Sequence, residues 1–195
     1  MFVSELKNQK LTLTALFAVL TGIGGWIKLP FFPVPFTFQT FFVLLSGLIL
    51  GPAGGCFCQI IYLGLGLLGL PVFAYGGGPG YILQPTFGYL VGFPLGAFTI
   101  GVLTNRRINC LPKQSFLFFF SVGLIGVSII AVLGVIYLYL NLKYITGQPI
   151  PFSKALVSGF IIFLPGDLVK VILFASIGNR LPPFKTSYFY KNGKN

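Results

Sequence analysis

The chain has no histidine and only two acidic residues, Glu5 and Asp167. Without an imidazole it lacks the usual side chain for a proton relay near neutrality and the commonest metal ligand. Two carboxylates so far apart in sequence leave no pair for general acid–base work. Cysteine is scarce as well: Cys56, Cys58 and Cys110. A Cys-x-Cys with no histidine and no second pair is a poor metal site, and the apolar flanks mark small buried packing residues. Charge is the largest deficit. Only 8% of the 195 residues are charged, against about 25% in a soluble domain whose surface faces water. A soluble enzyme, a nucleic-acid binder and a disordered tail are excluded together.

What the chain does have is apolar sequence, 55% of the total. At about 20 residues per membrane-spanning helix, there is room for roughly six helices with short loops in a single transmembrane domain over residues 1–195. Breakers mark the divisions. The spans are expected at residues 11–27, 37–50, 55–70, 81–103, 115–140 and 155–177. The run after Lys7 and Lys10 is followed by further spans and lacks a small-residue cleavage site, so it reads as a first helix and not a signal peptide. Between the spans lie a stiff loop with Pro30, Pro33 and Pro35, a tight turn at Gly51-Pro52, and a glycine loop with Gly76, Gly77, Gly78 and Gly80. A basic loop with Arg106, Arg107 and Lys113 follows, then a loop with Pro149 and Pro151, and finally a basic tail.

The net charge of +11 comes from 13 basic residues. With six spans, nine of them fall on the side of the termini. Lys28, Lys143 and Lys154 fall on the other side, and Lys170 lies inside a span. This bias puts both termini in the cytoplasm. The proline loop, the glycine loop and the loop with Pro149 then lie outside, where long special loops form binding sites and lids. The aromatics Trp26, Phe31, Phe32, Phe36, Tyr75, Tyr81 and Tyr144 lie near that outer boundary. Most belong to an interfacial belt, and a few could stack on an apolar ligand body.

The chemistry concentrates in Leu164-Pro165-Gly166-Asp167-Leu168-Val169-Lys170. A charge at the centre of a bilayer helix costs about 2.5–3.5 kcal/mol or more. Asp167 and Lys170 are three apart, share a helix face and can pair. Counted from Ala155, Asp167 falls near mid-depth, and Pro165 and Gly166 break the helix beside it, an arrangement typical of transporter sites. The pair suits a small polar head with adjacent N–H and C=O groups, such as a cyclic urea. Its other reading is a structural ion pair between helices. Gln84, beside the glycine loop, is a second ligand candidate or an interfacial helix-start residue. The glycine loop, with Gly77 and Gly78, is either a pocket wall or a flexible turn. It lacks the Lys-Ser or Lys-Thr of a phosphate loop. Two small-residue stripes permit close helix approach: Gly88, Gly92 and Gly96 for internal packing, and Thr14, Ala18 and Gly22 for packing or a partner protein. No residue set supports catalysis.

Several stretches, in order, resemble the BioY family, the biotin-specific substrate-binding (S) components of energy-coupling-factor (ECF) transporters. They are residues 13–21, Ile27-Lys28-Leu29-Pro30, residues 34–40, residues 64–74, the glycine loop into residues 85–93, and residues 164–170. The resemblance implies an all-α integral membrane protein of six helices in the bacterial cytoplasmic membrane, with biotin captured from outside. It implies contacts from Asp167 and Lys170 to the ureido ring and from an amide near the fourth helix, for which Gln84 is the match; Tyr81, Gly77, Gly78 and Phe36 are expected beside them as ligand residues from their place at the outer loops. It also implies that Thr14, Ala18 and Gly22 dock a transmembrane coupling (T) subunit, and that separate ATPase subunits supply energy. No cofactor, metal or nucleic acid is expected. An S component for another vitamin, a membrane-assembly protein without ligand and a gradient-driven carrier are the alternatives.

Overall fold

The computed structural model describes residues 2–29, 34–108, 115–147 and 150–180, with backbone alone at 2–8 and 106–108. Pro30, Phe31, Phe32, Pro33, Cys110, Lys113, Pro149 and the tail from residue 181 lie outside the described residues. The elements are almost all helical, as expected where lipid cannot satisfy backbone groups. They are α1 (Phe2–Trp26), α2 (Gln39–Leu67), α3 (Phe87–Ile108), α4 (Phe116–Tyr144), α5 (Phe152–Gly159) and α6 (Leu164–Arg180). Strands β1 (Lys28–Leu29) and β2 (Phe36–Thr37) form a small antiparallel ribbon. Short 3₁₀ turns occupy Pro79–Leu83 and Ile161–Phe163. Among the described residues, four segments are long and apolar enough to cross a bilayer: Gln39–Leu67, Phe87–Asn105, Phe116–Tyr144 and Phe152–Arg180.

The turn expected at Gly51-Pro52 is where α2 reverses. Gly51 has φ 73° and ψ −175°, a region open essentially to glycine alone. The two arms, residues 39–50 and 52–67, lie side by side. Gln59 Nε2 donates to Ser46 Oγ at 3.0 Å, and Gln39 Nε2 donates to the Tyr62 hydroxyl. In a straight helix, 23 residues of separation would hold Gln39 and Tyr62 about 34 Å apart. α1 packs on α2, α2 on α3, and α4 on both α3 and α6. The main core lies among α2, α3, α4 and α6, around Leu44, Tyr62, Phe93, Ile100 and Phe174.

The stripe on α3 permits the α3–α4 contact. A Cβ at Gly88 would lie 2.2 Å from Tyr137 Cβ, and one at Gly92 would lie 2.9 Å from Ile130 Cα. The backbones approach because no side chain separates them, which is how helices associate in lipid. The stripe on α1 also faces inward. Thr14 and Ala18 are buried, Cys58 Sγ donates to the Thr14 carbonyl at 3.3 Å, and Gly22 lies against Val72 and Tyr62. Thr14, Ala18 and Gly22 are therefore internal packing in this fold. The exposed face of α1 carries Leu11, Leu16, Val19 and Ile23 instead.

Several boundaries differ from the sequence reading, among them the start of α1 at Phe2 and not at residue 11, and two of the differences bear on the site. Residues 81–86 are not yet α-helix. The 3₁₀ turn ends at Leu83, and α3 starts at Phe87, just beyond Pro85, whose missing N–H is best placed outside or at the start of a helix. The last span breaks earlier than Pro165. α5 ends at Gly159, and Pro165 lies in the first turn of α6, where its missing N–H has no helical partner to lose.

Two stability tests follow from these contacts. Gly51→Ala should destabilise the protein by about 1–3 kcal/mol, because alanine must adopt a glycine-only conformation; thermal unfolding in detergent measures it. Gly92→Val should lower the same melting temperature, with an overpacking cost of about 1–3 kcal/mol. Val91→Leu, at the exposed neighbouring position, should leave it unchanged.

Candidate functional site

A cavity opens between β2 with the residues before it, α2, α3, α4 and the broken last helix. Its empty space, including the part open to solvent, is about 630 Å³. The apolar wall is Leu90 and Phe93 of α3, Val127, Ile130 and Ala131 of α4, and Phe163. The glycine stripe brings α3 close to α4, which lets these side chains form one continuous surface.

Asp167 and Lys170 both line the cavity. Lys170 Nζ donates to Asp167 Oδ1 at 2.8 Å, with the two side chains 3% and 14% exposed. The expected spacing of one helical turn has made the pair. Asp167 occupies the first turn of α6, where the free backbone N–H groups and the helix dipole favour negative charge. Phe36 supports the lysine from above, with Nζ 4.0 Å from the ring centroid, a cation–π contact. Phe36 also stacks on Phe163 at 6.3 Å. The break between α5 and α6 is held from α3. The Gly159 carbonyl has lost its helical donor, and the Tyr89 hydroxyl donates to it at 2.6 Å.

Tyr81 lines the cavity too, and the Thr86 hydroxyl donates to its phenol oxygen at 3.2 Å. Burial pushes the Tyr81 phenol above its ordinary pKa, so it stays protonated around neutral pH.

Three expected residues do not reach the cavity wall. Gln84 is exposed at the end of the 3₁₀ turn. Gly77 packs on the end of α2, where a Cβ would lie 2.1 Å from the Leu70 carbonyl oxygen. The Gly78 N–H donates to the Gly66 carbonyl at 2.7 Å. The glycine loop thus closes the end of α2, and Ala74 is the member of that loop region that faces the cavity.

The amide in the cavity is Gln39, which the sequence reading did not single out. Its side chain is polarised from both ends. The Thr37 hydroxyl donates to Gln39 Oε1 at 3.0 Å, Gln39 Nε2 donates to the Tyr62 hydroxyl, and that hydroxyl donates to the Val72 carbonyl at 3.0 Å. The available signal was a glutamine opening a long apolar helix directly after a proline loop. Tyr89 and Thr86 were also passed over as site residues. The loop end of the cavity is tied together by side chains. Trp26 Nε1 donates to the Pro71 carbonyl at 3.0 Å, and Lys28 Nζ donates to the Ala74 carbonyl. The site thus combines an apolar slot, one buried ion pair and a cluster of neutral donors and acceptors.

Comparison with known proteins agrees with this geometry. The sequence matches the family described as BioY family over residues 2–186. A Lysinibacillus sphaericus protein named probable biotin transporter BioY is 41% identical over 179 residues, covering 90% of this chain and 89% of that protein. The biotin transporter BioY of Thermotoga maritima is 40% identical over 174 residues, covering 89% and 95%. A crystal structure of the S-component for biotin from an ECF-type ABC transporter superposes with a TM-score of 0.75 at 30% identity, covering 89% of this chain and 90% of that one. Sequence and fold agree along nearly the whole length, and the chain, a multi-pass membrane protein, belongs to the BioY family.

Proposed function

We propose that this chain is the biotin-binding S component of an ECF-type vitamin uptake transporter. It captures biotin from the outer side of a bacterial cytoplasmic membrane and catalyses no reaction. The observation that carries the reading is the Asp167–Lys170 pair, buried at one side of an apolar slot. The relatives and the solved structure named for biotin support the choice of ligand. The ureido ring presents two N–H donors and one carbonyl. Asp167 accepts from one N–H, and Lys170 donates to the adjacent carbonyl. The fused ring and aliphatic tail lie against the apolar wall of Phe36, Phe93, Val127 and Ile130. Tyr81 and Gln39 supply neutral hydrogen bonds.

The working topology has six spans: α1, the two arms of α2, α3, α4 and the α5–α6 segment, with both termini cytoplasmic. The basic residues support this orientation through the positive-inside rule. Residues 1–195 act as one transmembrane domain without a cofactor. Transport energy comes from separate ATPase subunits through a membrane T subunit. Because Thr14, Ala18 and Gly22 face inward, the exposed face of α1 is the available surface on that helix.

Radiolabelled biotin should bind the purified chain saturably, and competition by thiamine or riboflavin should be weak; no saturable binding refutes the reading. Asp167→Asn leaves a buried lysine unpaired and should cost about 3–5 kcal/mol in stability as well as affinity. The informative variant is therefore the double change Asp167→Asn with Lys170→Met. It should recover much of that stability and still bind at least about tenfold more weakly, since two charge-assisted hydrogen bonds are gone. A double variant that binds as wild type would assign the pair a purely structural role. Gln39→Ala should weaken binding and Gln84→Ala should not, as read by equilibrium dialysis.

A further inference from the structure

Among the described residues, the cavity wall carries one cation and one anion, and they pair with each other. It therefore offers no net charge to a ligand. Residues 30–33, which connect the two strands of the ribbon, are Pro-Phe-Phe-Pro and add none. Biotin, however, ends in a carboxylate at the tip of its tail, far from the ureido ring. A carboxylate buried against apolar side chains without a partner is strongly disfavoured. The ion pair is committed to the ring, so the tail needs another donor.

Lys28 is not itself part of the cavity wall but touches one of its residues. Its Nζ donates to the carbonyl of Ala74, a cavity residue. In the ribbon it lies directly opposite Thr37, and directly opposed residues project from the same face. Thr37 lines the cavity, and its hydroxyl bonds to Gln39 on the wall. The ammonium also lies 4.9 Å from the centroid of the Tyr75 ring, which holds the flexible side chain in place. An ammonium has three protons, and Ala74 takes one. Lys28 is thus a tethered, exposed cation beside a net-neutral cavity, with donors to spare.

We propose that Lys28 forms a subsite for the carboxylate of the ligand's tail at the loop-side rim of the cavity. The assignment rests on the biotin reading above. The ligand is then held at two ends by different chemistry, the ring by the buried pair and the acid by an exposed lysine.

The test compares biotin with its neutral primary amide, by titration calorimetry on the full-length chain in lipid nanodiscs. Wild type should prefer the acid by about fivefold to tenfold, the range for a charge-assisted hydrogen bond weakened by solvent. Raising salt to about 0.5 M should narrow that preference. Lys28→Gln should bring the two affinities together mainly by weakening the acid, and Lys28→Arg should keep the preference. An acid-over-amide ratio unchanged in Lys28→Gln overturns the subsite. Equal losses for both ligands also overturn it, and assign Lys28 to tethering the loop at Ala74 only. The salt dependence needs no variant, so a Lys28→Gln protein that fails to fold does not remove the test; a salt-independent preference counts against the subsite. If wild type binds neither ligand, the biotin reading itself falls. If it binds both equally, only the lysine subsite falls.

Discussion

A lysine and an aspartate buried together in apolar surroundings constrain everything near them. Lys170 is almost completely withdrawn from solvent, and Asp167 is nearly so. Neither charge would be tolerated alone, because desolvation costs several kcal/mol per ion. The fold answers with geometry. One helical turn separates the partners, the N-terminal turn of α6 faces the carboxylate, and the Phe36 ring covers the ammonium. Pro165 fits only because the helix restarts there, and the restart is what gives Asp167 a helix N-terminus. The broken segment and the ion pair are therefore one device.

That device depends on its neighbours. The break exposes the Gly159 carbonyl, and Tyr89 of α3 satisfies it. α3 can present Tyr89 there because Gly88 and Gly92 let it lie directly against α4. The same approach builds the apolar wall of the cavity. On the other side, the reversal at Gly51 brings the second arm of α2 back beside the first, so that Tyr62 meets Gln39. From Tyr62 the hydrogen bonds continue to Val72, and Trp26 binds the adjacent Pro71. Polar atoms in a low-dielectric interior must be paired, and here the pairing also sets the loops at the cavity rim.

Much of this was legible in the chain. With so few charges, a carboxylate and a lysine three residues apart inside an apolar run could hardly be ordinary surface residues. Phe36 and Tyr81 were found from their position at the end of apolar spans. The turn at Gly51 and the stripe from Gly88 to Gly96 followed from local rules about glycine. The differences between the sequence reading and the cavity wall have a common cause. Gln84 and Gln39 are both amides next to outer loops, and proximity in sequence favoured the one beside the glycines. The 3₁₀ turn ahead of α3 leaves Gln84 exposed at its end, and Gln39 lies on the cavity wall. Likewise, a stripe of small residues states that something approaches closely without stating what. For Thr14, Ala18 and Gly22 the answer is the chain's own second arm of α2 and the loop that follows it.

Sequence by itself determined the solvent, the class of fold and the chemistry of the central pair. These follow from composition, helical periodicity and the cost of burying charge, all of which are local or additive. The BioY resemblance was likewise carried by short stretches in order. Tertiary structure decided which residues share the cavity. That choice depends on rotations about helix axes, on where α2 turns and on where the last helix breaks. Each of these is settled by contacts between segments distant in the chain, which no local pattern encodes.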